Sequence, residues 1–278
     1  MNVSIEAFLE ALTLERVAPH RYRAPNVRIG HNVVFGGQLL AQSIVAGLAG
    51  HEGKTVKTVH TVFARAASPD APVEITVDPM HTGRSFSSST VTISQNDRLC
   101  TRSIVLLSAD EPDLIRHADA STTASTPEES EVLKESPGAW EVRVVDGVDV
   151  GDPDAVGPAE LDVWTRFVGA PDDPTTNQAL VAFATDGFLI GTAMRPHPGV
   201  GQAQAHVTIS TGVISHTLTF HEPCAASEWL LLSHRSPYAG RGRSYGCAHI
   251  FRANGQLVAS FVQDSMIRAM SAPGARAL

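Results

Sequence analysis

The sequence predicts an α+β protein built from two similar halves, each an antiparallel sheet wrapped around a central helix. Short segments recur in the same order: His60-Thr61-Val62 returns as His216-Thr217-Leu218, Gly83-Arg84-Ser85-Phe86 as Gly242-Arg243-Ser244-Tyr245, and Asn96-Asp97 as Asn254-Gly255. The offsets are 156, 159 and 158 residues, so the halves differ by short insertions. Each half also places a helix-like segment ahead of its strand-like runs, and each Asn pair lies between two such runs, where a hairpin turn belongs.

In the first half Gly36-Gly37 opens the helix, with Leu39, Leu40, Ile44, Val45 and Leu48 near helical spacing and Gly50 closing it. In the second, Asp173 is a helix N-cap and Pro174 a first-turn proline, while Leu180, Val181, Phe183, Ala184 and Leu189 supply the apolar face. Trp140 to Val145 and Leu161 to Val168 read as strands, as do Cys247 to Phe251 and Leu257 to Val262 around the second turn. The stretch 111–139, rich in Ser, Thr, Pro and Glu and without periodicity, reads as an acidic, solvated linker. The expected division is 1–110, linker 111–139, and 140–278, with the chemistry in the last part. A helix wrapped by such a sheet is the hotdog architecture, and this chain reads as a tandem double hotdog.

Length and composition are those of a soluble globular protein of 278 residues. No apolar run is long enough to span a membrane, and Glu6, Glu10 and Glu15 stand where a signal peptide is basic. Three cysteines without CxxC spacing support neither a disulfide framework nor a zinc ribbon, and a reducing, cytoplasmic setting is expected. Neither metal nor cofactor is expected: no HExxH occurs, and His216 and His221, five apart on a strand, point to opposite faces. The net charge of −8 argues against nucleic acid. From Trp229 to Gln263 there is no acid, however, and Arg235, Arg241, Arg243 and Arg252 accumulate. Such a stretch suits an anionic ligand, although solvated strand positions explain it equally well.

Several residue patterns carry chemistry. Gly242-Arg243-Ser244-Tyr245-Gly246 matches GxSxG, but a nucleophile elbow needs strand, turn and helix, and here extended chain follows. Gly36-Gly37 at a helix start offers backbone N–H groups to an oxygen, or else permits close helix packing. Asp186 has Ala182, Phe183, Leu189 and Ile190 as helical neighbours, so its carboxyl group lies among apolar side chains. It is either a general base or a group that caps a kink at Gly187 or leans out to solvent. Gln263 ends a strand face of Leu257, Ala259 and Phe261, either to orient a water or because the strand there leaves the core.

With the repeat, the aspartate and the late glutamine together, the chain resembles the acyl-CoA thioesterase II family of double-hotdog enzymes. The resemblance rests on Phe35-Gly36-Gly37-Gln38, Gly83-Arg84-Ser85-Phe86, Ala184-Thr185-Asp186, His216 with Phe220-His221-Glu222-Pro223, Glu228-Trp229-Leu230-Leu231, and Gly255 to Gln263. It implies hydrolysis of acyl-CoA by a water held by an aspartate, a hydroxyl residue and a glutamine. Asp186 and Gln263 fall at two of these positions, whereas Val213 stands where the family has threonine. If the segment is a regular strand, Ser215 shares the face of Val213 and is the expected substitute. Gly36, Gly37, Arg235, Arg241 and Arg243 are the expected substrate contacts, the arginines meeting CoA phosphates. Homo-oligomers are expected by analogy. The alternatives are an acyl-CoA binding protein of weak activity, which Val213 favours, and an enoyl-CoA hydratase, disfavoured because no histidine follows Asp186 within ten residues.

Overall fold

The computed structural model describes residues 3–30, 32–133 and 138–270. The first half runs α1 (Ile5–Leu12), β1 (Glu15–Ala18), β2 (Arg21–Ala24), α2 (Gly36–Leu48), β3 (Lys54–Phe63), β4 (Val73–Thr82), β5 (Phe86–Gln95) and β6 (Arg98–Ala109). The second runs β7 (Glu131–Val132), β8 (Trp140–Val144), β9 (Glu160–Phe167), α3 (Pro174–Ala184), α4 (Leu189–Met194), β10 (Ile209–Phe220), β11 (Leu230–Gly240), β12 (Arg243–Arg252) and β13 (Leu257–Ala269). All of these strands join one antiparallel sheet in the order β1-β2-β4-β5-β6-β3-β10-β13-β12-β11-β9-β8-β7. The halves therefore mirror one another about the β3–β10 seam.

The register at that seam corrects one part of the repeat. His216 lies opposite Thr61, and His60 opposite Thr217. Cross-strand partners share a face and consecutive residues do not, so His60 and His216 face opposite sides of the sheet. The shared His-Thr pair is thus out of step with the structural repeat. His60 Nδ1 is bonded to Thr217 Oγ1 at 2.7 Å on the outer side, while His216 is fully buried.

Both long helices form where the sequence places them, and α3 starts as expected, with the Asp173 carboxylate accepting from the Thr176 N–H at 2.8 Å. The expected single helix through Leu189 is instead broken: regular turns stop at Ala184 and resume at Leu189. The N-terminus of α2 meets the C-terminal end of α3 closely enough that a Cβ on Gly37 would overlap the Phe183 carbonyl oxygen. Here the glycine is a packing requirement. Phe183 is also the hub of an aromatic core, with Phe35, Phe8 and Trp140 at ring separations of 5.0, 5.2 and 5.4 Å. Gln178 of α3 reaches across the seam and bonds both the N–H and the carbonyl of Val56, each at 2.8 Å, where β3 bulges. A buried bulge frees backbone groups, and this amide satisfies them.

Part of the segment expected to be a solvated linker, from 120 to 132, lies instead against the second half, while 111–119 stay exposed. Trp164 Nε1 donates to the Ser125 carbonyl at 2.8 Å and Arg143 to that of Pro127 at 2.7 Å. Ala120 and Ala124 pack on a small cluster of Val145, Trp164, Leu231 and Phe251, and Glu131–Val132 extends the sheet as an edge strand. No helix among the described residues is long and apolar enough to cross a membrane.

Candidate active site

The break between α3 and α4 carries Thr185 and Asp186. Asp186 keeps some exposure as a residue, but its carboxyl group is closed off: Oδ2 accepts the Gly37 N–H at 3.0 Å, and the buried Oδ1 has no partner among the described residues. Burial pushes its pKa up to about 7, against the smaller opposing effect of the Gly37 hydrogen bond. Gly36 is required here too, since a Cβ would stand 2.6 Å from Oδ2. Asp186 thus lies at a break in the helix, but its carboxylate takes the N–H of α2 rather than capping the kink, and it does not lean out to solvent. The two readings of Gly36-Gly37 coexist, as close packing lets one N–H reach an oxygen.

Thr185 connects this carboxyl group to the sheet. Its hydroxyl donates to the Ala182 carbonyl at 2.7 Å and lies 3.1 Å from His216 Nε2. With the hydroxyl hydrogen spent on Ala182, Nε2 is the donor and Nδ1 is left as a buried acceptor without a partner among the described residues. Burial holds the His216 pKa down to about 3, opposed weakly by Gln263, so the ring is neutral. His216 sits directly across from Gln263, which is 1% exposed. Gln263 Nε2 donates to Ser265 Oγ at 3.1 Å, and Oε1 is again a buried acceptor without a described partner. Glycine at 246 opposite Gln263 admits α4, for a Cβ there would lie 2.5 Å from Leu189 Cδ2. His234, whose pKa burial lowers to about 4, completes the group: its ring meets those of Phe188 and Phe261, and its Nε2 is likewise unpartnered.

Residues 23–108 match the N-terminal and residues 117–267 the C-terminal domain of the acyl-CoA thioesterases. The chain belongs to the acyl-CoA thioesterase family. Acyl-CoA thioesterase 2 of Haemophilus influenzae is 27% identical, covering 96% of this chain and 99% of its own. Among solved structures, a tesB protein of Mycobacterium avium subs paratuberculosis superposes with a TM-score of 0.81 at 26% identity, covering 95% of this chain and all of its own. A protein with hot dog fold from Alicyclobacillus acidocaldarius superposes at 0.77, with 19% identity over 95% of this chain and 99% of its own. The architecture is the tandem hotdog.

Within this family frame, one expectation changes. Ser215 does not share the face of Val213. A bulge in β10 pairs Val213 with Ser265 but Ser215 with Asp264, and Ser215 Oγ donates to the exposed Asp264 carboxylate at 3.0 Å. The extra residue, Ile214, shifts the alternation and turns Ser215 to the outer side. The arginines expected to meet CoA phosphates lie on β11, on β12 and at the turn between them. Arg235 is exposed and faces Glu160 at 3.8 Å, Arg241 occupies the β11–β12 turn with φ of 54°, and the exposed Arg243 opens β12 beside Gly242. Gly242 is a turn into a strand, as expected, and no elbow forms. His216, Thr185 and Ser265 join the site without having been expected there. His216 was legible as the residue that precedes Leu218 and Phe220 on one face, and Ser265 as the next position after Gln263 on its own.

Proposed function

We propose that this protein hydrolyses fatty acyl-CoA to the free acid and CoA, with a water activated by Asp186. The observation that carries this reading is the Asp186 carboxyl group: buried, poised near neutrality, and bonded through one oxygen to the first turn of α2 while the other stays unspent. A general base works best with a pKa near the working pH. In the proposed step the water gives a proton to Asp186, Gln263 Oε1 orients it, and its oxygen attacks the thioester carbonyl; the C–S bond then breaks and the departing sulfur takes the proton from Asp186, so that CoA leaves as the thiol and the carboxylate is restored. Gly36 and Gly37 put the positive end of the α2 dipole beside the reacting group, which favours the developing oxyanion. Arg241 and Arg243, at the turn adjoining Ser244 whose cross-strand partner is Ser265, are the proposed contacts for CoA phosphates. Arg235 is the weaker candidate because Glu160 offsets it. A role in fatty acid metabolism, a cytoplasmic location and a homo-oligomeric state belong to the same proposal.

The test is steady-state release of free CoA from saturated acyl-CoAs of graded length, corrected for the protein's three free cysteines. Turnover by the parent and a loss of about 10² to 10⁴ in kcat for a folded Asp186→Asn variant are expected. Acyl-CoA binding without turnover by the parent would favour the binding-protein reading to which Val213 lends support.

A further inference from the structure

Gln263 brings an amide to the site, and an amide can present either its oxygen or its NH2 group to a ligand. Its NH2 group is bound by Ser265 Oγ at 3.1 Å, and its oxygen is the end left unpaired. Both residues are 1% exposed and share one face of β13. Several other hydroxyls are committed elsewhere: Thr185 to Ala182 and His216, Ser215 to Asp264 on the outer side, Thr217 to His60, and Ser236 to the Tyr245 carbonyl; Ser244 lies across from Ser265 on the neighbouring strand, and the bond to the amide is made by Ser265. Ser265 is also the direct cross-strand partner of Val213 on β10. Cβ atoms of such partners are roughly 4.5–5.5 Å apart, so a hydroxyl on either strand comes within reach of the same amide.

We propose that Ser265 is the positioning residue that fixes Gln263 with its oxygen toward the nucleophilic water, supplying from β13 the hydroxyl that Val213 does not supply from β10. This inference rests on the reading in which Asp186 and Gln263 hold that water. A hydroxyl can play this part from either strand because it must only accept one hydrogen bond from the amide, and a neutral bond of this kind is worth about tenfold in a rate that depends on it.

The experiment compares kcat and KM for one saturated acyl-CoA across the folded parent, Ser265→Ala, Ser265→Thr, Val213→Thr, the Ser265→Ala/Val213→Thr double variant and Asp186→Asn. Ser265→Ala is expected to lower kcat about tenfold with KM nearly unchanged. Ser265→Thr should stay within about threefold of the parent, and Val213→Thr should restore most of the kcat that Ser265→Ala loses. A merely structural serine would not be rescued from the neighbouring strand. If Asp186→Asn collapses while Ser265→Ala keeps the parent kcat, or if the double variant is folded but no faster than Ser265→Ala, the role of Ser265 is overturned. If Asp186→Asn itself keeps the parent turnover, the reading of the whole site fails and this inference fails with it.

Discussion

Asp186 is held by two opposed effects. Exclusion of Oδ1 from solvent favours the neutral acid, and the Gly37 N–H favours the carboxylate; exclusion wins, bringing the pKa up to about 7. An ordinary aspartate titrates near 3.8, so between that value and about 7 the folded chain holds a proton that the unfolded chain has released. Stability from this group is therefore full below about pH 4 and is lost as pH rises through 7. Asparagine does not ionise. Asp186→Asn should accordingly be more stable than the parent at pH 8, by on the order of a few kcal/mol at most and seen as a higher Tm, and nearly equal to it at pH 4. Thermal melts at the two pH values check this; an equal change at both would mean that desolvation of the charge is not what the fold is opposing.

At the scale of elements, the decisive contact is the end of α2 against the end of α3. Gly37 leaves no room for a side chain beneath Phe183, and that closeness is what puts the α2 N–H on Asp186. Gly37→Ala should therefore push the helices apart at a cost of about 1–3 kcal/mol, measurable as a lower urea midpoint. Turnover should fall beyond what the stability loss explains, because the Asp186 bond lengthens with the same movement. The bulge in β10 is the second such device. One extra residue sends Ser215 outward and keeps Val213 opposite Ser265, so the strand changes which side chains serve the site without changing its partners.

For the whole molecule, the sheet is continuous through the β3–β10 seam and the site takes Gly37 from one half and Asp186 from the other. The halves are similar but not independent. Residues 111–278 expressed alone would present β10 as an open edge and uncover the α3 face that α2 packs on. They should be recovered aggregated or self-associated, as size-exclusion chromatography would report; a stable, folded monomer would show that the seam is dispensable.

By itself the sequence determined the repeat, the two helices with their Gly and Asp-Pro starts, the hairpin turns, and Asp186 and Gln263 as residues out of place on apolar faces. These are legible because period and capping are local properties, and a polar group on an apolar face is conspicuous at any distance from its partners. Local rules also misled: the His-Thr match is a sequence likeness whose faces are opposed, and regular alternation carried Ser215 to the wrong side. The acidic stretch read as solvated because its anchors, Trp164 and Arg143, lie further along the chain. Only the tertiary structure decided that α3 breaks at Asp186, that the first turn of α2 answers its carboxylate, and that Ser215 turns away from Val213 and the site. Each depends on a contact between segments distant in sequence or on a register shifted by one residue, and neither leaves a mark in the local pattern of side chains.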